Sequence, residues 1–341
     1  MRVRSLILFF CLSLPAFSQQ GAAPNRRITL DVNVTDKSGK PVSGLQQSDF
    51  ALIDNKQPQN ILSFQAMDGK TDELPVEVFL LVDRVNSTVS NSADVRQQIG
   101  KYLDQNGGQL RLPTSFIFFS DSGTSVQKAP SRDGHALLAD LDKSESGLRS
   151  VTRSQGVYGA IDRFQMSLNA LASIAAMEEK NPSRKLLVWL SPGWPLLSGP
   201  GIQLTNKNQQ ELFNTIVATA SALIKARVTL YSIDTLGVAD AGSTSINYYR
   251  EFLKGVSASR QVQVGNLALQ VIATQSGGRV LNSSNDIGRQ IENAMNDTSG
   301  WYVLSFDSPR ADGPNEYHKL DLKVGKPGLT ARTRSGYYAQ P

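Results

Sequence analysis

Apolar and polar residues alternate in the opening segment of the chain. In RITLDVNVT, Ile28, Leu30, Val32 and Val34 point one way, and a D-K-S-G-K turn ends the run. That rhythm predicts a strand with one buried face, followed by a turn. DFALIDNKQPQNILSFQA repeats it, with strands expected near Phe50–Ile53 and Ile61–Phe64 around a polar bend at Asp54–Gln57. Nothing in 26–66 has a helical period.

At Pro75 the rhythm changes. VEVFLLVD is a near-continuous apolar run, the pattern of a central strand covered on both faces. A helix is expected around Asp94–Leu103, a second buried strand at Ser115–Asp121, and a short helix over 131–142. In 157–177, Val157, Ile161, Phe164, Leu168, Leu171 and Ile174 form one apolar stripe at helical spacing. KLLVWL (185–190) and VTLYSID (228–234) read as strands on either side of a helix over about Gln209–Lys225. Helices near 246–254 and 264–275 lead to a short strand at Arg279–Leu281 and a last helix near 285–296. From Trp301 the alternating rhythm returns in WYVLSFD, EYHKLDLKV and LTARTRSGYY.

Strands alternating with helices predict βαβ units around a mostly parallel sheet. The two β-rich segments bracket this core. The opening one is too short to bury a core alone, so the two are expected to share one. The organisation predicted is an N-terminal β segment (19–73), an α/β domain (74–298), and a C-terminal β segment (299–341) that packs with the first. The α/β unit is thus inserted in a discontinuous, β-sandwich-like domain.

Residues 1–18 belong to neither rhythm. A basic start, the apolar SLILFFCLSLPA and the small-x-small Ala16-Phe17-Ser18 read as a secretory signal peptide, with cleavage expected near Ser18. The run is shorter than the ~20 residues of a membrane span. No later stretch is apolar enough to cross a bilayer, so the mature chain is expected to be secreted or periplasmic. The single cysteine, Cys11, lies in the leader, and an exported chain without cysteine rests on its core and not on disulfides.

Charge changes the picture by exclusion. The 35 Lys and Arg stand against 30 Asp and Glu, a formal net charge of +5. Without a basic-aromatic stripe this balance gives no reason to expect nucleic acid. The two histidines, His135 and His318, stand in unlike contexts and read as surface or packing residues. That argues against both a His-rich zinc site and a Ser-His-Asp relay, and no nucleotide-binding or nucleophile-elbow motif stands between a strand and a helix. No enzyme is expected, because no nucleophile–base pair can be named.

Three loops carry the candidate chemistry. LLVDRVNST ends a buried strand on Asp83 and continues through Asn86, Ser87 and Thr88. A carboxylate followed by hydroxyls suits a hard divalent cation. It better suits a helix N-terminus, where Asp83, Ser87, Thr88 or Ser90 would accept backbone N–H bonds. Arg84 would either partly neutralise Asp83 or lie in solvent. SPGWPLLSGPG (191–201) sets Trp194 between Gly193 and Pro195, either as an interface anchor or folded back over the sheet. DTLGVADAGSTS (234–245) offers Asp234 and Asp240.

The stretches VTDKSGKPVSGLQQSDFALIDNKQPQNILSF, VEVFLLVDRVNST, KLLVWLSPG, VTLYSIDTLG, TQSGGRVL and WYVLSFDSP…YHKLDLKV…LTARTRSGYYA together carry a resemblance. Residues 74–298 resemble a von Willebrand factor type A domain, and the mature chain resembles the VWFA-related secreted proteins typical of acidobacteria. The resemblance implies a doubly wound, Rossmann-like sheet with one antiparallel edge strand and a ligand site at the carboxyl ends of its strands. It also implies a metal-ion-dependent adhesion site, D-x-S-x-S with a later threonine and a second aspartate. Here Asp83 and Ser87 match it. Val85 replaces the first hydroxyl, Gln155 falls at the threonine position and Pro192 at the second aspartate, so the site is degenerate and no cofactor is expected, magnesium and manganese being the only candidates.

The function expected is an exported, non-catalytic module. It would bind a protein or cell-envelope component through Asp83, Asn86, Ser87, Gln155, Ser191 and Trp194. A structural scaffold of the envelope, or a metal-dependent adhesion protein, is the alternative.

Overall fold

The computed structural model describes residues 26–68, 76–127, 129–145, 156–195, 204–236 and 244–341. The expected leader, Gln155, Asp240 and residues 196–201 of the SPGWPLLSGPG loop lie outside them. Seven strands form the central sheet: β5 (Val76–Asp83), β6 (Gln109–Ser120), β7 (Gly123–Val126), β8 (Ser131–Asp133), β9 (Arg184–Leu190), β10 (Val228–Ile233) and β11 (Val280–Leu281). Their order is β11-β10-β9-β5-β6-β7, with β8 also on β6. The pairs from β11 to β6 are parallel, and β7 and β8 run antiparallel to β6.

Helices cover both faces of this sheet. α1 (Val89–Leu103), α2 (Gly134–Glu145) and α6 (Ile287–Met295) pack on Val78, Leu80, Leu186 and Val188. α3 (Gly156–Glu178), α4 (Asn206–Lys225) and α5 (Leu269–Gln275) pack on Phe79, Leu81, Leu187 and Trp189. A strand covered on both sides favours apolar residues on both faces, and β9, buried throughout, is apolar from Leu186 to Leu190, with Arg184 and Lys185 hydrogen-bonded at its start.

The opening and closing segments pair with each other. β1 (Arg27–Thr35), β4 (Ser63–Met67), β12 (Trp301–Asp307) and β14 (Thr330–Arg332) form one antiparallel sheet in the order β14-β1-β12-β4. β2 (Phe50–Asp54), β3 (Gln57–Gln59), β13 (Glu316–Val324) and β15 (Gly336–Ala339) form another in the order β15-β13-β2-β3. Leu30, Val32, Leu304 and Phe306 of the first share a core with Phe50, Leu52, Leu320 and Tyr337 of the second.

Several local expectations shift. The strand placed at Ile61–Phe64 runs Ser63–Met67, and 131–142 splits into β8 and α2. The helix placed near 246–254 is a 3-10 helix over Thr244–Phe252, and 264–275 divides into a 3-10 turn, Val264–Leu267, and α5. The break falls at Ala268, whose backbone is extended (φ −63°, ψ 144°). Gly265 presses against the Phe252 ring, where a Cβ would meet carbon at 2.6 Å. On α3, Val157 is 62% and Ile161 42% exposed, so the buried part of the stripe begins at Phe164.

A seam of charge joins the sandwich to the amino ends of the parallel strands. Arg184 donates to Asn33 Oδ1 (2.9 Å) and to the Asp297 carbonyl (3.2 Å), with its guanidinium 5.2 Å from the Trp301 ring centre. The Asp297 carboxylate accepts from Tyr231 (2.6 Å) and Arg332, with Arg279 at 3.5 Å.

Candidate functional site

β5 delivers Asp83 to the carboxyl end of the central sheet, 1% exposed. Its Oδ1 accepts from the Asn86 backbone N–H (2.9 Å). Its Oδ2 accepts from Asn86 Nδ2 (2.8 Å) and Trp189 Nε1 (2.9 Å). The indole reaches it because β5 and β9 pair Leu81 with Trp189, and Asp83 lies two residues on, on the same face. Burial pushes the carboxyl above the usual carboxylate range, against the donors of Asn86, Trp189 and Ser191, which favour the charged form.

Asp83 therefore ties the 84–87 turn to β9. The N-cap of α1 is Thr88, whose hydroxyl accepts from the Asn91 N–H at 3.2 Å. Asn86 Nδ2 also donates to Ser167 Oγ (3.0 Å) on α3. Ser87 is buried at 3% exposure. Val85 is fully buried with Phe164, Trp189 and Trp194 in the α3-side core, so its side chain lines no open position. Arg84 turns away from Asp83, its guanidinium 5.3 Å from the Phe118 ring centre.

Ser191 and Trp194 come to the same place from the end of β9. Ser191 Oγ accepts from the Gly193 N–H at 3.1 Å, and Gly193 takes a positive φ of 100° that bends the loop back. Trp194 is folded in, not out: it is 4% exposed and meets Trp189 edge-on at 5.1 Å and Phe164 at 6.5 Å. Of the two readings of Trp194, interface anchor or folded back over the sheet, the burial fits the second, as a large aromatic next to an apolar strand end favours. Asn86 Oδ1 and Trp194 Nε1 are both buried without a hydrogen-bond partner among the described residues. Asp234 folds over its own turn, accepting from the Leu236 N–H at 2.9 Å.

The structure thus gathers Asp83, Asn86, Ser191 and Trp194, and adds Trp189, which in KLLVWL reads only as core. It also exposes an apolar group at this end of the sheet, on the first turns of α3: Val157, Tyr158 (82%) and Ile161. Among the described residues no group of three or more His, Cys, Asp and Glu side chains is placed to hold a metal ion. No helix among them is long and apolar enough to cross a membrane.

No protein-family model matches the chain, and no curated protein matches it. Among solved structures it is similar to the pilus adhesin SpaC from Lactobacillus rhamnosus GG, at 10% identity and a TM-score of 0.39, covering 88% of this chain. The chain spans about half of that adhesin's length, 49%. It is also similar to the VWA domain of SpRpn10 (14% identity, 65% of this chain and 96% of that one, TM-score 0.29). A third similarity is to the N-terminal domain of TFIIH p34 (11% identity, 66% and 99%, TM-score 0.28).

Proposed function

We propose that this chain is an exported, non-catalytic module that binds a protein or cell-envelope component at the carboxyl end of its parallel sheet. The observation that carries this is the apolar group on α3: Val157, Tyr158 and Ile161 are 62%, 82% and 42% exposed, side by side on two turns. Contiguous exposed apolar side chains are a cost in water that a partner removes, and tyrosine is a frequent interface anchor. Leu236, 46% exposed in the loop after β10, stands at the same end. In this reading Tyr158 takes the anchoring role that the sequence suggested for Trp194. The cluster of Asp83, Asn86 and Trp194 braces the platform from below.

The α/β unit serves as an insert carried by the paired terminal segments, a von Willebrand factor A-like domain on a β-sandwich stalk. It works without a cation, because Val85 and Pro192 supply no side-chain oxygen and the Asp83 oxygens already accept three protein N–H groups. Proximity labelling in the native envelope tests the reading. The set of proteins labelled by the wild type should be lost with Val157→Ser/Tyr158→Ser/Ile161→Asn and kept in the presence of chelator. An unchanged set with the triple variant would remove the platform. Calorimetric binding of magnesium or manganese at micromolar affinity, abolished by Asp83→Ala, would restore a metal-dependent adhesion site.

A further inference from the structure

At the opposite end of the sheet, α4, the Val264–Leu267 turn and α5 meet β13 and β15 around a cleft. It holds about 490 Å3 counting its open mouth and narrows to about 30 Å3 that a water-sized group can occupy. Ile216, Leu223, Leu267, Ile272 and Tyr338 give it apolar walls, and Arg334 is the single charged residue that lines it.

Arg334 differs from the other arginines of the seam. Arg184, Arg279 and Arg332 all face Asp297, through its carbonyl or its carboxylate. Arg334 makes no side-chain hydrogen bond or ion pair among the described residues. The carboxylate that acts on it from a distance is Asp31. Asp31 is already held by Arg227, with Nη2 at 2.6 Å from Oδ1 and Nε at 3.4 Å from Oδ2. Desolvation lowers the Arg334 guanidinium to about 10, so at neutral pH it remains a cation, half-buried on the cleft wall, and its one counter-charge, Asp31, is shared with Arg227. A cation in an apolar cleft is costly until an anion pairs with it.

We propose that this cleft binds a short-chain monocarboxylate, with the carboxylate on Arg334 and the alkyl tail against Leu267 and Ile272. One guanidinium presents a planar fork that matches one carboxylate, whereas a dianion would bring a second charge with no partner. The apolar walls select for a tail. The enclosed part of the cleft is small, which favours a short tail over a ring. The proposal is independent of the platform on α3, because the two sites use different residues at opposite ends of the sheet.

The test is nuclear magnetic resonance of the full chain with carbon-13 in its tyrosine rings, titrated with butyrate, butyramide and inorganic phosphate. Butyrate should shift Tyr317 and Tyr338 saturably while leaving Tyr102, across the sheet, in place. Butyramide and phosphate should bind at least about tenfold more weakly, and Arg334→Met should weaken butyrate by about tenfold or more. Ala220→Phe keeps the cation but fills the cleft, so it should lose the response too; that variant decides the matter should Arg334→Met fail to fold. Absence of a saturable shift, an equal response to butyramide or phosphate, or undiminished butyrate binding in either variant would each overturn the site.

Discussion

Asp83 shows what a single residue does when its surroundings claim it. Removing its carboxylate would strand the Asn86 N–H, Asn86 Nδ2 and Trp189 Nε1, three donors that now end on it. A buried donor left unmade costs about 1–3 kcal/mol, and Asn86 Nδ2 keeps its bond to Ser167 Oγ, so Asp83→Ala should lower stability by about 2–4 kcal/mol in urea unfolding. Burial raises its folded pKa above the unfolded value. The folded state therefore holds the proton more tightly, and the stability this contributes is complete below about pH 3.9, the unfolded value. It is lost as pH rises through the raised folded pKa. The wild-type advantage over Asp83→Ala should accordingly be larger at acid pH than at pH 7, and an advantage that grows with pH would contradict this. The aspartate and its polar followers were visible in LLVDRVNST. Its tie to Trp189 was not, because that contact depends on the β5–β9 register, which no local pattern encodes.

Among the elements, α3 shows where periodicity stops being informative. Its 23 residues extend about 34 Å at 1.5 Å each, whereas the seven residues of β9 beside it span about 23 Å. The helix overshoots the sheet, so one apolar stripe is buried from Phe164 onward and open at Val157 and Ile161. Spacing identifies the stripe; only the lengths of its neighbours say how much of it is covered. Lys185 is the reverse case, a charged residue opening the KLLVWL strand that is fully buried. Its Nζ donates to the carbonyls of Glu178 (3.1 Å), Asn181 and Ala226 (3.0 Å), closing the carboxyl ends of α3 and α4. Last-turn carbonyls lack partners within their own helix, and a cation there satisfies both hydrogen bonding and the helix dipole. Lys185→Met should cost about 2–4 kcal/mol by leaving these buried acceptors unpaired. Amide exchange should quicken in the last turns of both helices before it does in β9. Unchanged exchange there would mean that water replaces the lysine at no cost.

At the scale of the molecule, the chain returns at its end to complete what it began. β12 lies between β1 and β4, and β13 between β2 and β15, so neither outer sheet exists without residues from both termini. The alternation of RITLDVNVT and WYVLSFD marks each as a half-buried strand, and a shared core is expected only because the opening segment is too short to bury one alone. The seam beneath it was not legible, because Asn33, Arg184, Tyr231, Asp297 and Arg332 come from five separate places and no spacing links them. Deleting 299–341 removes β12, β13, β14 and β15 together. β1 then has no neighbour, and β2 and β3 remain as a two-stranded hairpin, which is marginal in water. Leu30, Val32 and Val34, now fully buried, would face solvent, and Arg184 would lose Trp301. Amide exchange in 28–34 and 50–67 should therefore approach that of an unfolded chain. Leu80 and Leu187, in central strands covered by helices from both sides, should stay protected to a reduced degree. Full protection of 28–34 in the truncated chain would show that the opening segment folds alone, and the two terminal segments would then be neighbours and not one core.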